Sequence, residues 1–182
     1  MSLIDRTYFV GEINIPNVDQ SAIGSLVDLF IQKYEPAFLQ AALGYDLYKA
    51  FTAGIASATP EQKWKDLRDG VEYTDQQGNL TKWKGLITAD PKESLIANNI
   101  YYWYSRNAHT QSTSMGEVKS STENANMVSP GLKMTRAFNA TYEWLCEMAQ
   151  YLDARKDVYP EWAKQNRYCM EQKFRPTNTF NV

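Results

Sequence analysis

The chain has 182 residues, of which 43% are hydrophobic, 13% aromatic and 22% charged. This length and composition fit one folded domain and exclude a chain that is disordered throughout, because disordered chains lack such aromatic content. The formal net charge of -2 argues against a protein that binds nucleic acid by neutralising its phosphates.

Residues 1–17 are predicted to form an extended N-terminal arm. They carry apolar side chains, among them Phe9, Ile13 and Ile15, but these do not recur at helical spacing. Pro16 interrupts the segment before the first helix. We expect an apolar arm of this kind to dock, either on its own domain or on a neighbouring subunit.

Short helices are predicted to follow the arm. The first, over 18–34, has an apolar stripe at helical spacing, formed by Ile23, Leu26, Phe30 and Tyr34. Pro36 is expected to begin a second helix, because proline is tolerated at the first helical position. Gly44 is a natural C-terminal cap for that helix, and residues 45–55 are predicted to form a third.

One stretch, 71–84, has strand character. Val71 and Tyr73 lead into a turn around Gly78, and Leu80 and Trp83 lead out of it. We therefore predict a small β-hairpin insert. An isolated hairpin is marginally stable, so this one should rest on the helices or on a neighbouring subunit.

Two long helices are predicted to form the spine of the domain. The first is expected to be capped by Asp90 and to begin at Pro91. The second is expected to follow Pro130 and to carry an apolar stripe from Met134 to Leu152. We expect these two helices to pair antiparallel.

A long polar loop, 114–129, connects the spine helices, and an extended tail, 174–182, follows a short C-terminal helix. The loop is interpreted as a lid, a disordered insert or an arm that binds a partner. Residues 1–182 are thus predicted to form a single, mainly α domain. It is a helical bundle built on two long antiparallel helices, with short N-terminal helices, the hairpin insert and extended termini.

No catalytic, metal-binding or cofactor-binding arrangement is predicted. The chain has one histidine, His109, and two cysteines, Cys146 and Cys169, which form no zinc or Cys-His pattern. The glycines form no phosphate-binding loop. Four acidic residues cluster between lysines and arginines and are interpreted as a solvated face; they are Asp66, Asp69, Glu72 and Asp75. Because a lid would have no chemistry to cover, the insert and arm interpretations of the loop are preferred.

The sequence offers no membrane or export signal. No run approaches the ~18 to 20 apolar residues of a membrane span, and the first residues lack the apolar core of a signal peptide. We expect a protein of the cytosol, or of a particle assembled there.

Aromatic and polar segments are predicted to contact other subunits. The rings from Tyr101 to Tyr104 would point around the whole circumference of a helix, so they are expected to face both the core and an interface. The loop and the tail supply the other candidates. The predicted interface residues are Tyr101, Tyr104, Glu117, Lys119, Asn124, Asn126, Met127, Phe174 and Phe180.

The stretch "FIQKYEPAFLQAALGYDLYKAF" resembles the opening of head-tail connector (head-completion adaptor) proteins of tailed phages and prophages, especially a Bacteroides-type family. The shared pattern is an apolar helix followed by Tyr34, Pro36, Leu39, Leu43, Gly44, Leu47 and Tyr48; this chain has Phe38 before Leu39. Later pieces also resemble the family, namely "RNAHTQSTSMGEV", "ENANMVSPG", "RAFNATYEWL" and "VYPEW". The resemblance covers most of residues 18–162.

The resemblance implies a structural virion protein rather than an enzyme. Such connectors form homo-oligomeric rings, often of twelve subunits, and bind the portal protein on one side and a tail-side connector on the other. DNA passes through the ring without specific binding, and no membrane is involved. The protein would be a virion component assembled in the bacterial cytoplasm. Two alternatives remain open: a bacterial adaptor domain that binds through its aromatic helix, and an enzyme that uses the acidic cluster.

Overall fold

The computed structural model describes residues 2–108, 111–113, 116–118 and 131–176. The helices are α1 (Ser21–Leu43), α2 (Tyr45–Ile55), α3 (Gln62–Asp69), α4 (Leu95–Ala108), α5 (Gly131–Ala154) and α6 (Lys164–Lys173). The strands are β1 (Val71–Thr74), β2 (Leu80–Trp83), β3 (Ile87–Ala89), β4 (Lys92–Ser94), β5 (Gln111–Thr113) and β6 (Gly116–Val118). Consecutive strands pair into three antiparallel hairpins. The prediction of a mainly α fold with a small hairpin is confirmed.

Helix α1 is continuous where a break was predicted. Pro36 lies inside it, on an exposed turn. An interior proline costs about 3 kcal/mol, but α1 buries apolar side chains both before and after it, including Ile31, Phe38 and Leu39. The free energy gained by burying these side chains offsets the backbone hydrogen bond that Pro36 cannot donate. The helix ends at Gly44, whose φ of +78° suits glycine.

Helices α4 and α5 pair antiparallel, as predicted. Tyr102 of α4 meets Phe138 near the start of α5, with ring centroids 5.1 Å apart. Asn98, one turn earlier in α4, lines the same cavity as Trp144, which is later in α5. Because α4 also packs on α1, it is the central helix of the bundle.

The start of α4 differs from the prediction. The Asp90–Pro91 dipeptide lies in the turn between β3 and β4, and α4 begins at Leu95. Ser94 is the residue that caps it, since its Oγ accepts a hydrogen bond from the Ile96 N–H at 3.0 Å. The same hydroxyl donates to the Leu86 carbonyl at 2.9 Å. The cap therefore ties the helix to the β3–β4 hairpin, which the sequence did not predict.

The β1–β2 hairpin is present and rests on α5. Tyr73 contacts Tyr151 edge to face at 5.0 Å, and Trp83 stacks on the same ring at 5.8 Å. The indole N–H of Trp83 donates to the Leu67 carbonyl of α3 at 3.0 Å. The base of the hairpin is thus fixed to two helices.

The third hairpin occupies part of the predicted polar loop. Residues 116–118 form β6, which pairs with β5 with Gln111 opposite Val118. The segment 114–129 is therefore not a loop throughout, because residues 116–118 pair with β5 in an antiparallel ladder. Residues 119–130 lie outside the described residues.

The N-terminal arm packs on its own domain. It contains two 3-10 turns, Arg6–Tyr8 and Gly11–Ile13, rather than being extended throughout, and Phe9 and Ile15 are buried. Two carboxylates of α1 hold it. Asp28 accepts from Arg6 Nε at 2.8 Å, and Glu35 accepts from the Leu3 N–H at 2.6 Å and from the Ser2 hydroxyl.

Replacing Glu35 with glutamine is expected to change how stability depends on pH. Glu35 is 4% exposed, and burial is the main influence that raises the pKa of its carboxyl. The folded protein therefore holds this proton more tightly than the unfolded chain. As pH rises from the ordinary carboxyl value through the raised one, stability falls.

Denaturant unfolding of the wild type and Glu35→Gln between about pH 4 and pH 7 measures this effect. The free energy of unfolding of the wild type should fall relative to that of the variant as pH rises. Parallel profiles for the two proteins would contradict the assignment.

Candidate interaction surface

Three residues of the acidic cluster bond to neighbours in the chain. Asp66 accepts from Gln62 Nε2 at 2.7 Å, and Asp69 pairs with Arg68 at 2.6 Å. Asp75 accepts the Asn79 N–H at 2.8 Å within the β1–β2 turn, and this bond lowers the pKa of its carboxyl. Each of these three carboxylates bonds within its own helix or turn. Within the described ranges, no three histidine, cysteine or acidic residues are placed to hold a metal ion.

The two cysteines considered for chemistry form no disulfide. Cys146 is half-buried and Cys169 is exposed, and both are free thiols. His109 lies outside the described residues. Cys146 lies in α5 between Leu145 and Met148, which are both buried.

The structure describes four of the nine predicted interface residues, namely Tyr101, Tyr104, Glu117 and Phe174. Tyr101 and Phe174 are core residues, only 6% and 8% exposed. The ring of Phe174 packs edge to face on that of Phe38. Tyr104 is half-exposed and meets Phe30 at 5.6 Å. Glu117 lies on β6. The remaining predicted residues, Lys119, Asn124, Asn126, Met127 and Phe180, lie outside the described residues.

A row of half-buried aromatic rings crosses α1, α4 and α5. Phe30 stacks on Tyr34 at 5.4 Å, and Tyr34 stacks on Trp103 at 5.3 Å with only 7° between the planes. Trp103 meets Tyr102, which contacts Phe138. We call these five rings the aromatic row. The rings from Tyr101 to Tyr104 do point around α4, but they contact the chain's own helices.

Cations lie over two rings of this row. Lys33 Nζ is 5.0 Å from the centre of the Tyr34 ring, and the Arg106 guanidinium carbon is 5.5 Å from that of Trp103. Cation–π attraction of this kind lets a charged side chain cover an aromatic face. The row therefore joins an apolar surface to two positive charges.

The outward face of α1 is poor in charge. Its ten exposed residues include a single charged one, Lys33; the others are Ser21, Ala22, Ser25, Leu26, Leu29, Gln32, Pro36, Ala37 and Gln40. We call this set the outer face of α1. Leu26 and Leu29 are 42% and 60% exposed. A helix that faces water normally carries charged and polar side chains there.

Helix α5 provides the comparison within the same chain. Its six exposed residues are Leu132, Lys133, Arg136, Glu143, Glu147 and Gln150, and four of these six are charged. The two helices have nearly equal lengths, 23 and 24 residues. The lack of charge on α1 is thus a local property and not a reflection of overall composition.

An apolar groove borders the outer face of α1. It lies between α1 and α2 with a volume of about 370 Å³, and we call it the α1–α2 groove. Its walls include Ile31, Leu39, Phe51 and Ile55. Gln32 and Pro36 belong both to the groove and to the outer face, so the two surfaces are continuous.

A larger depression, of about 670 Å³, lies between the arm, the start of α4 and α5. Among the described residues, acidic and basic side chains line it in equal number: Glu12, Glu93, Glu143, Glu147, Lys84, Lys92, Lys133 and Arg136. Lys84 pairs with Glu147 at 3.1 Å and lies 4.1 Å from the centre of the Trp144 ring. The mixed and partly paired charges give this depression no preference for an anion or a cation.

The fold and surfaces define the class of the protein as a mainly α domain with a charge-poor helix face. Among the described residues, no helix combines the length and apolar character needed to cross a membrane. Neither a family model, nor a curated protein, nor a solved structure matches the chain. Its function is therefore inferred from its own surfaces and motifs.

Proposed function

We propose that the protein is a structural assembly protein that forms a ring of identical subunits. The observation that carries this proposal is the outer face of α1, with one charge among its ten exposed residues. Protein–protein interfaces are depleted of charge in their centres. A long helix face with a single charge can be buried by a neighbour at a smaller desolvation cost than a highly charged face.

The resemblance to head-tail connectors gives the assembly its setting. In that role the ring joins the portal of the capsid to a tail-side connector, and the protein is a virion component assembled in the bacterial cytoplasm. The net charge of -2 suits a ring wall that DNA passes without binding.

The residues that carry the resemblance have a clear structural role. Leu39, Leu43 and Leu47 are buried, and Gly44 forms the tight turn between α1 and α2. Tyr34 belongs to the aromatic row. The motif thus sets the angle at which α2 leaves α1, and with it the shape of the α1–α2 groove.

Electron microscopy with mass measurement tests the proposal, using the protein alone and mixed with a portal protein from the same genome. The wild type should form a ring in at least one of these conditions. Leu29→Glu should weaken assembly at least about tenfold, because it places a charge in the interface. Leu132→Glu is the control, since Leu132 of α5 is comparably exposed at 53%.

A wild type that stays monomeric across a wide concentration range, both alone and with the portal, would refute the proposed function. Circular dichroism and thermal unfolding of each variant establish that any loss of assembly is not a loss of fold.

A further inference from the structure

We infer that the tip of the β1–β2 hairpin of one subunit inserts Leu80 into the α1–α2 groove of the next. This inference rests on the proposed function, because it specifies which surfaces of two identical subunits meet. The partner is a second copy of this chain.

Leu80 has the properties of an inserted side chain. It is 75% exposed, more than any other large hydrophobic residue that the structure describes. Residues 76–79, Gln-Gln-Gly-Asn, form an uncharged tip beside it. The neighbouring Asp75 carboxylate accepts hydrogen bonds from the turn itself. Leu80 can therefore be buried together with the tip without burying an unpaired charge.

The hairpin presents Leu80 on a rigid support. The strands pair along four residues each, from Val71 opposite Trp83 to Thr74 opposite Leu80. Trp83, 1% exposed, fixes the base of the hairpin to α3 and α5. A contact made by a rigid element costs less conformational entropy than one made by a flexible loop.

The α1–α2 groove has the matching chemistry. Its volume of about 370 Å³ exceeds that of a leucine side chain, and its walls are mainly aliphatic and aromatic. Thr52 and Ala56 add further uncharged lining on the α2 side. Among the described residues, the one carboxylate that lines it is Glu35, which already accepts hydrogen bonds from Ser2 and Leu3. An apolar side chain can enter without leaving a polar group unpaired.

The two surfaces belong to different parts of the molecule. The hairpin rests on α3 and α5, whereas α1, α2 and the first residues of the arm form the groove. Contact between different surfaces of identical chains is head to tail, and such contacts close into rings when the rotation permits. The inferred contact thus has the symmetry that a ring requires.

Two pairs of variants test the contact under the condition in which the wild type assembles. Leu80→Asp should raise the subunit concentration at half-assembly at least about tenfold, whereas Leu132→Asp should not. Ala56→Arg, at the exposed edge of the groove, should have the same effect. Its control is Ala53→Arg, which is also exposed but lies within α2 and outside the groove lining.

Mixing the two disabled variants gives a sharper result. The Ala56→Arg subunit keeps an intact Leu80, and the Leu80→Asp subunit keeps an intact groove. One contact can therefore form between them and no second one can follow. Mass measurement should find heterodimers in the mixture and monomers in each variant alone.

The outcomes separate this inference from the proposed function. If the wild type forms rings and both Leu80→Asp and Ala56→Arg form them equally well, the inference is wrong and the ring proposal stands. If the wild type never assembles, both are wrong. If Leu80→Asp loses its fold by circular dichroism, the Ala56→Arg and Ala53→Arg pair decides the question.

Discussion

Replacing Trp83 with alanine is expected to lower the free energy of unfolding by about 3–5 kcal/mol, the usual cost of truncating a large buried aromatic residue. Trp83 is 1% exposed and stacks on Tyr151, with 11° between the planes. Its indole N–H donates to the Leu67 carbonyl. Truncation would leave a cavity between the hairpin, α3 and α5, three elements that cannot close together without losing other contacts.

Denaturant unfolding followed by circular dichroism measures this loss. Trp83→Phe should cost less than alanine, because it retains a ring, and the Leu67 carbonyl keeps its bond from the Leu86 N–H at 3.3 Å. Leu80→Ala, on the same strand but exposed, should change stability by less than about 0.5 kcal/mol. A loss below about 1 kcal/mol for Trp83→Ala would show that the hairpin is not fixed to the helices by this residue.

Gly85→Ala is expected to be similarly damaging, at about 2–6 kcal/mol. Gly85 has φ of +95°, a conformation that costs a residue with a side chain about 1–3 kcal/mol. An added Cβ would also lie 2.6 Å from the Arg68 carbonyl oxygen and 2.7 Å from the Gly70 nitrogen. Overpacking of this kind costs a further 1–3 kcal/mol or so.

A second glycine allows the control to separate these two effects. Gly78, in the β1–β2 turn, has a similar φ of +87°, but an added Cβ there meets nothing within 4 Å. Gly78→Ala should therefore show the conformational cost alone. Equal unfolding free energies for Gly78→Ala and Gly85→Ala would refute the close backbone approach as the reason that glycine is needed at position 85.

The predictable parts of the fold are those whose patterns are local. The helical spacing of apolar residues predicts α2 and the pairing of α4 with α5. The alternation of residues on either side of Gly78 predicts the β1–β2 hairpin. The continuity of α1 through Pro36 depends on burial against α2, α4 and α6, which a local pattern does not contain. Burial does not alternate along the β3–β4 hairpin, since Ser94 is the one buried residue of β4. The sequence of β4 shows no alternation of apolar and polar residues that would predict a strand.

The candidate surface was only partly predictable. The aromatic helix was noted, but Tyr101 turns toward the core and Trp103 toward α1, a difference fixed by how α4 is rotated between its neighbours. The low charge of the outer face of α1 could have been predicted from the sequence. Residues 21–40 contain only Asp28, Lys33 and Glu35 as charged residues, and the structure commits both carboxylates to the arm.

The distribution of indole side chains makes the aromatic row an optical probe. Of the five tryptophans, Trp64, Trp83, Trp144 and Trp162 are each at most 4% exposed, whereas Trp103 is half-exposed. A water-soluble quencher added to the folded protein would therefore act mainly on Trp103. The fraction of tryptophan fluorescence that the quencher removes would therefore report whether the surface where α1 meets α4 is exposed to water or covered. No label on the chain is needed.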